Sequence, residues 1–335
     1  MKEALYYHQT SKGVQCDLCP HECQFSDGQR GICGSRVCQE GKLYTLAYSN
    51  PCSLAFDPVE KKPLFHFHPG MRCFSIACPG CNFRCLNCQN FKISQAKPEE
   101  VLTANMEPET VVQQCIQTCS KAIAYTYTEP LTYLEYVADI ARLAREKGIL
   151  NILVSAGYVN PGPLADNIAL FDAANIDLKS FSDSLYKKQN GGTLKPVLNA
   201  LKAFKEADVW LEITNLLIPG QNDSPEMLRE MCKWLCDNGF SDTPLHFSRY
   251  FPAYKMSEPS ATPLKTLMEA KEIANSEGMK FVYIGNAKEY DGEDTLCPNC
   301  GHTLVKRHIY SIRRNRLDST AICPYCGTTI PGEWG

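Results

Sequence analysis

Nineteen cysteines stand in this chain, and eleven of them gather in three tight groups: Cys16, Cys19, Cys23 and Cys33; Cys81, Cys85 and Cys88; Cys297, Cys300, Cys323 and Cys326. No other feature restricts the fold as much, because thiols at such spacing close short loops around a shared partner. The partner is either another thiol or a metal. An odd total leaves at least one thiol unpaired, and the opening MKEALYYHQTSKGVQC has no apolar core of signal-peptide length. A disulfide scaffold of the secreted kind is therefore not expected. Metal or cluster ligation in a soluble, cytoplasmic protein is. Lys and Arg total 34 against 37 Asp and Glu, unlike a globally basic nucleic-acid binder, and no stretch is apolar for the length of a membrane span.

The cysteine groups also mark an organisation into three parts: residues 1–60, a four-cysteine metal-binding module; 61–289, a core; and 290–335, a tail of paired cysteines. The first part has too little apolar periodicity to fold without a staple. In the core, strands are expected at Cys73–Ala77, Ala122–Thr126, Asn151–Ser155, Asn175–Leu178, Val209–Leu217, Leu245–Arg249 and Lys280–Ile284. Helical patterns lie between them, at Pro108–Cys119, Thr132–Lys147, Leu194–Ala207, Ser224–Asn238 and Pro263–Ser276, with Gly148, Gly239 and Gly278 where a helix should stop. Regular βα alternation argues for a parallel sheet or barrel with helices outside.

Cys81, Cys85 and Cys88 fall just after the first expected core strand. Three thiolates on one loop can hold three corners of a [4Fe–4S] cubane, leaving the fourth iron without a protein ligand. An open iron can chelate an amino and a carboxylate group. The competing reading, zinc completed from elsewhere, suits pairs of close ligands better than this triplet.

The motif CNFRCLNC, followed by Gln89 and Asn90, resembles that of the radical S-adenosylmethionine (SAM) superfamily. Within it the chain is similar to relatives of the pyruvate formate-lyase-activating enzymes, most closely the radical enzymes of the AmmeMemoRadiSam system. The narrower likeness extends to CDLCPHEC and GICG, to DPVEKKPLFHFHPG, and to CPNC with CPYCG. It implies an α/β fold, a partial (β/α)6 TIM-like barrel of the radical SAM type with a small Cys-rich N-terminal module and a C-terminal zinc ribbon. The active site would lie at the carboxyl ends of the strands. The resemblance further implies a [4Fe–4S] cluster, SAM cleaved reductively to a 5′-deoxyadenosyl radical, and a flavodoxin- or ferredoxin-type electron donor. Memo-type and AMMECR-type partner proteins, or a protein glycine as hydrogen donor, follow from the same kinship.

Individual positions carry over from the family. Thr126, Tyr127, Thr128 and Glu129 in YTYTEP stand where the family sets a Gly-Gly-Glu segment against the amino group of SAM, and a helix-capping turn suits the same residues. Asp177 and Lys179 resemble the Asp-x-Lys of the activating enzymes, where the acid meets the amino group and the lysine the carboxylate. His246 in PLHFSRYFP resembles their later SAM-contacting histidine. Ser155 and Asn215 would offer ribose or carboxylate contacts, and Asn286 in FVYIGN would lie near the adenine. Two departures stand out. Asn87 replaces the usual aromatic residue before the third cluster cysteine, which reduces dispersion against adenine, and VSAG at 154–157 lacks the acid of a monovalent-cation site. Cys78, just ahead of the motif, reads as a buried small thiol.

Cys297 and Cys300, paired with Cys323 and Cys326, read as two zinc knuckles of a ribbon, expected near the open end of the barrel. The intervening KRHIYSIRRNR supplies Lys306, Arg307, Arg313, Arg314 and Arg316, a solvated hairpin face by default and an RNA contact by alternative. For Cys16, Cys19, Cys23 and Cys33 spacing leaves two readings open, structural zinc or an auxiliary cluster. Two other functions are consistent with these features: a radical enzyme acting on RNA, and a non-enzymatic iron–sulfur and zinc scaffold or sensor.

Overall fold

A computed structural model describes all 335 residues. Its centre is an eight-stranded sheet of β1 (Ser53–Pro58), β2 (Arg72–Ala77), β3 (Ala122–Tyr125), β4 (Leu150–Ser155), β5 (Ala173–Asp177), β6 (Trp210–Leu217), β7 (Leu245–Arg249) and β8 (Val282–Gly285), neighbours in chain order. β2 to β8 pair in parallel, and β1 runs antiparallel along β2. The crossovers carry α1 (Pro108–Gln117), α2 (Leu134–Glu146), α3 (Pro161–Asn167), α4 (Leu194–Glu206), α5 (Pro225–Asp237) and α6 (Leu264–Ser276). Six βα units thus end on a seventh parallel strand, and the sheet curls without closing.

Local chemistry accounts for the helices. Proline opens α1, α3 and α5, where its missing N–H costs nothing, and Ser224 caps α5 by accepting from the Met227 amide. Gly148, Gly239 and Gly278 take up left-handed φ just past α2, α5 and α6. Along α2, Val137, Ile140, Ala141 and Ala144 recur at helical spacing and are buried against the sheet. Each fully buried Val or Ile contributes about 1.5–3 kcal/mol.

Side-chain alternation along the strands sorts residues into two layers. Ala122, Ala124, Ile152 and Ala173 face inward and join a small inner core with Val59, Leu64 and Phe67. These last three belong to the segment after β1, which plugs the floor of the barrel. Glu212 anchors that plug. It accepts from the amides of Phe65 (2.8 Å) and His66 (2.7 Å), from the Trp210 indole (3.1 Å) and from His246 Nε2 (2.6 Å). Burial works against its charge, yet His246 and these donors hold its carboxyl below the ordinary value.

The boundary expected at residue 60 shifts in the structure, because Ser53–Pro58 pairs with β2 and belongs to the main sheet. Before it lie two small antiparallel sheets, one of Lys2–Glu3, Lys42–Thr45 and Arg36–Gln39, the other of Tyr7–Thr10, Gly13–Cys16 and Gln24–Phe25. A buried ion pair, in which one Arg36 guanidinium nitrogen donates to both Glu135 oxygens at 2.7 and 2.8 Å, fastens this module to α2.

The C-terminal ribbon has three antiparallel strands, Thr295–Leu296, Thr303–His308 and Ser311–Asn315. It does not sit at the open end of the barrel. Leu304, Val305 and Trp334 share one core with Phe65, Phe281 and Tyr283, and Glu333 pairs with the plug through the His66 and His68 backbone. The ribbon therefore packs under the floor and beside β8. Arg307 is also not on the solvated face: it is buried and donates to the Phe65 carbonyl (2.6 Å), Thr295 and the Glu293 carbonyl. No helix is long and apolar enough to cross a membrane.

Candidate active site

Cys81, Cys85 and Cys88 lie on the loop leaving the carboxyl end of β2. The loop has almost no regular structure, so other segments supply its hydrogen bonds. The Arg84 and Leu86 amides donate to the carbonyls of Asn190 (2.7 Å) and Gln189 (3.0 Å), at the end of a π-helical turn spanning Tyr186–Asn190. Gly191 then reverses the chain at φ +74°. Each thiol has a neighbour within hydrogen-bonding reach. The Phe83 amide donates to Cys81 Sγ (3.3 Å), Asn190 Nδ2 donates to Cys85 Sγ (3.2 Å), and Ser94 Oγ lies 3.1 Å from Cys88 Sγ.

These three cysteines line a cavity of about 270 Å³ at the carboxyl ends of the strands, and no other cysteine does. Asn87, Thr126, Tyr127, Thr128, Glu129, Ser155, Asp177 and Lys179 line it too. Size alone would not select this place: a cleft of about 660 Å³ lies between α3 and α4, but its only titratable groups are Lys195 and Glu206. Convergent polar chemistry is the better criterion.

Glu129 is buried at the end of β3 and receives Ser155 Oγ (2.6 Å), the Ala156 amide (2.8 Å) and the Leu131 amide (3.1 Å). The last of these caps a 3₁₀ turn, so the capping role and a place in the cavity coexist. Burial pushes its carboxyl above the ordinary value in spite of these donors. Lys179 donates to Asp177 Oδ2 (2.8 Å), and although burial opposes its charge, Asp177 and the nearby Cys85 sulfur raise its pKa. Burial also pushes the Cys81 and Cys85 thiols up, with Glu129 adding to the effect at Cys81 and Lys179 with Asn190 opposing it at Cys85. Tyr127 holds a left-handed φ of +67° and its hydroxyl reaches Asp57, which also pairs with Lys61 and Lys62 at 2.7 Å.

Three expected contacts lie outside this cavity. Asn215 sits on the outward face of β6, where its amide donates to the Leu178 carbonyl at 2.6 Å, while Thr214 and Leu216 point inward. His246 is inward but is only the second residue of β7, low in the barrel against Glu212, Phe65 and Tyr283. Asn286 is exposed past β8, bonded to Ser248 (2.9 Å), and lines a separate cleft toward the ribbon. Sequence reasoning missed Asn190 and Lys61, which do line the cavity. The QNGG run at 189–192 was the available sign of a tight turn.

The thiols fit a three-ligand cluster. They come from one loop, the Cys81 and Cys85 sulfurs accept N–H hydrogens, Cys88 lies against a hydroxyl, and the wall offers no fourth sulfur. At the other end of the chain Cys297, Cys300, Cys323 and Cys326 form a group whose sulfurs all lie within 4.8 Å, with Cys297–Cys326 at 3.6 Å and Cys300–Cys323 at 3.7 Å. That set can bind a metal ion.

Comparison with known proteins agrees with the geometry. The Radical SAM superfamily model matches residues 75–235. An uncharacterized protein of Methanocaldococcus jannaschii is 43% identical over 98% of this chain and 99% of its own length. The pyruvate formate-lyase-activating enzyme of Clostridium pasteurianum is 26% identical, covering 49% of this chain and 68% of that enzyme. The fold is shared with Streptococcus suis SuiB, at a TM-score of 0.50 and 12% identity over 70% of this chain and 54% of that one. By this kinship the chain belongs to the radical SAM superfamily.

Proposed function

We propose that this radical enzyme cleaves S-adenosylmethionine reductively and directs the 5′-deoxyadenosyl group at a hydrogen of a protein substrate. The observation that carries the reading is the meeting of three thiols, without a fourth, with Glu129, Asp177 and Lys179 in one cavity. Cys81, Cys85 and Cys88 would hold the [4Fe–4S] cluster. When bound, such a cluster supplies the single electron that breaks the sulfonium carbon–sulfur bond. The chain's own residues bind and orient. Lys179 has donors beyond the one given to Asp177 and suits a carboxylate, while Asp177 and Glu129 suit an ammonium. An arriving cation would restore the charge that burial makes costly at Glu129.

Kinship with pyruvate formate-lyase-activating enzymes supports a protein as hydrogen donor and a flavodoxin- or ferredoxin-type protein as electron source. RNA docked on the ribbon hairpin has less support, because Arg307 is buried and the ribbon lies under the floor. The sulfur separations of 3.6 and 3.7 Å in the ribbon support zinc there, since four sulfurs about 2.3 Å from one tetrahedral ion stand about 3.8 Å apart.

The test is anaerobic reconstitution followed by dithionite and SAM. Wild type should release 5′-deoxyadenosine and methionine, and Cys85→Ala should release neither while keeping its fold. Cleavage at the wild-type rate in that variant would refute the assignment.

A further inference from the structure

Cys16, Cys19, Cys23 and Cys33 come together around one small enclosed cavity, with Leu18, Phe25 and Arg36 in its wall. They arrive from a hairpin and the two turns beside it: Cys16 ends the strand Gly13–Cys16, its amide bonds the Cys23 carbonyl (2.9 Å), and Cys33 lies within the turn at 31–34. All four are free thiols. Their arrangement differs from that of the ribbon in a way that bears on what they bind. Four sulfurs on one zinc ion stand about 3.8 Å apart, and the ribbon shows 3.6 and 3.7 Å. In the N-terminal set no three sulfurs come mutually within 4.8 Å. A cubane places its thiolates on four different irons, so its ligand sulfurs stand farther apart than those gathered on one ion.

The cavity also abuts the catalytic loop. Cys81 lines the active-site cavity, and the next residue, Asn82, lines the N-terminal one. The Cys81 amide donates to the Cys33 carbonyl (3.2 Å), so a ligand of one set is hydrogen-bonded to a ligand of the other. His21 Nε2 meets the Asn82 carbonyl at 2.8 Å, and Arg84 reaches the Ile32 carbonyl. The approach is close enough that a Cβ on Gly80, at φ +99°, would stand 2.4 Å from the Cys33 carbonyl oxygen. Ile32 is 43% exposed and lines the same cavity, so the set lies just beneath the surface.

We propose that Cys16, Cys19, Cys23 and Cys33 hold a second [4Fe–4S] cluster, every iron of which has a protein ligand, and that it passes single electrons to the catalytic cluster. With four thiolates it has no open iron for substrate, which leaves electron transfer as its chemistry. One electron from a low-potential flavodoxin- or ferredoxin-type donor docked near Ile32 reduces it by one unit. The same electron then crosses the Cys33–Cys81 contact, which returns it to the oxidised state, and no proton or bond is involved. The inference goes beyond the proposed reaction, and its test does not depend on turnover.

Full-length protein made anaerobically should contain about eight irons and eight sulfides with one zinc per chain. The triple variant Cys81→Ala, Cys85→Ala, Cys88→Ala should keep about four irons, and Cys19→Ala should keep about four with the zinc content unchanged. Reduced wild type should give an electron paramagnetic resonance spectrum broadened by coupling between two nearby spins, and the triple variant the narrow signal of one. About four irons and two zincs in wild type, or a triple variant without iron, would overturn the second cluster. An unbroadened spectrum from fully loaded protein would overturn its adjacency. If instead the reading of the central site were at fault, the triple variant would match wild type in iron.

Discussion

Lys179 stands between the Cys85 sulfur and the Asp177 carboxylate, to which it donates at 2.8 Å, and both favour its charge. If that charge receives the carboxylate of SAM, Lys179→Ala should weaken binding by about 1–3 kcal/mol, the scale of one charge-assisted hydrogen bond. Calorimetry with the reconstituted protein measures this directly, and an undiminished affinity would remove Lys179 from the site. Asn190 makes a different kind of contribution. Its side chain gives an N–H to Cys85 Sγ at 3.2 Å, and such a bond stabilises the more negative, reduced cluster. Asn190→Ala should keep its iron and lower the reduction potential of the catalytic cluster in a redox titration; a potential that stayed put or rose would contradict the geometry. These residues also show where reading by order along the chain stops. Asp177 and Lys179 were legible because the pair sits at a strand end. Asn215 was not, because one residue of strand register decides whether a side chain faces the barrel or the helices. His246 failed on height, since only the assembled floor reveals that Glu212 and Phe65 occupy its surroundings.

At the scale of elements, β1 and the short α3 went unexpected, whereas the seven parallel strands and the other five helices were readable, because βα periodicity and proline or glycine punctuation are local signals. The segment after β1 was not. VEKKPLFHFHPG at 59–70 has no period of its own, and its shape comes from the barrel it fills. His66 is its most constrained residue. Its Nδ1 bonds the Pro331 carbonyl (2.7 Å), which fixes that proton, so Nε2 accepts from the Tyr283 hydroxyl (2.5 Å). Burial holds it down at about 4, against the pull of Glu212. An unfolded histidine titrates near 6.5, so between the two values the unfolded chain binds more protons than the folded one. The stabilisation that His66 gives is complete above pH 6.5 and is lost as pH falls toward 4, by up to about 3 kcal/mol. Denaturation midpoints of wild type and His66→Gln across that window measure it. The variant should show a shallower loss with acid, and parallel slopes would assign the acid sensitivity elsewhere.

For the whole molecule, three cysteine modules are not three independent bodies. The ribbon shares a core with the floor, through Leu304, Val305 and Trp334 against Phe65, Phe281 and Tyr283. Spacing identified the ribbon, but its docking depends on long-range packing that no local pattern encodes. If the ribbon owes its fold to a metal, Cys323→Ser should lose zinc and also destabilise the barrel. An effect on the order of 3 kcal/mol would lower Tm by about 4 °C, in a single transition. Iron content should be retained at low temperature. Loss of iron with zinc unchanged would mean that the ribbon carries a cluster.

The plugged floor has one more consequence. With Val59, Leu64 and Phe67 filling the base and the ribbon beneath them, the chamber is closed from below. Traffic through the floor is blocked. If a protein substrate covers the rim, as proposed above, loading should be sequential: the sulfonium compound first, the bulky partner second. On that reading methionine and the spent nucleoside depart only after the partner lifts away, and the proposed target is also the lid of the reaction.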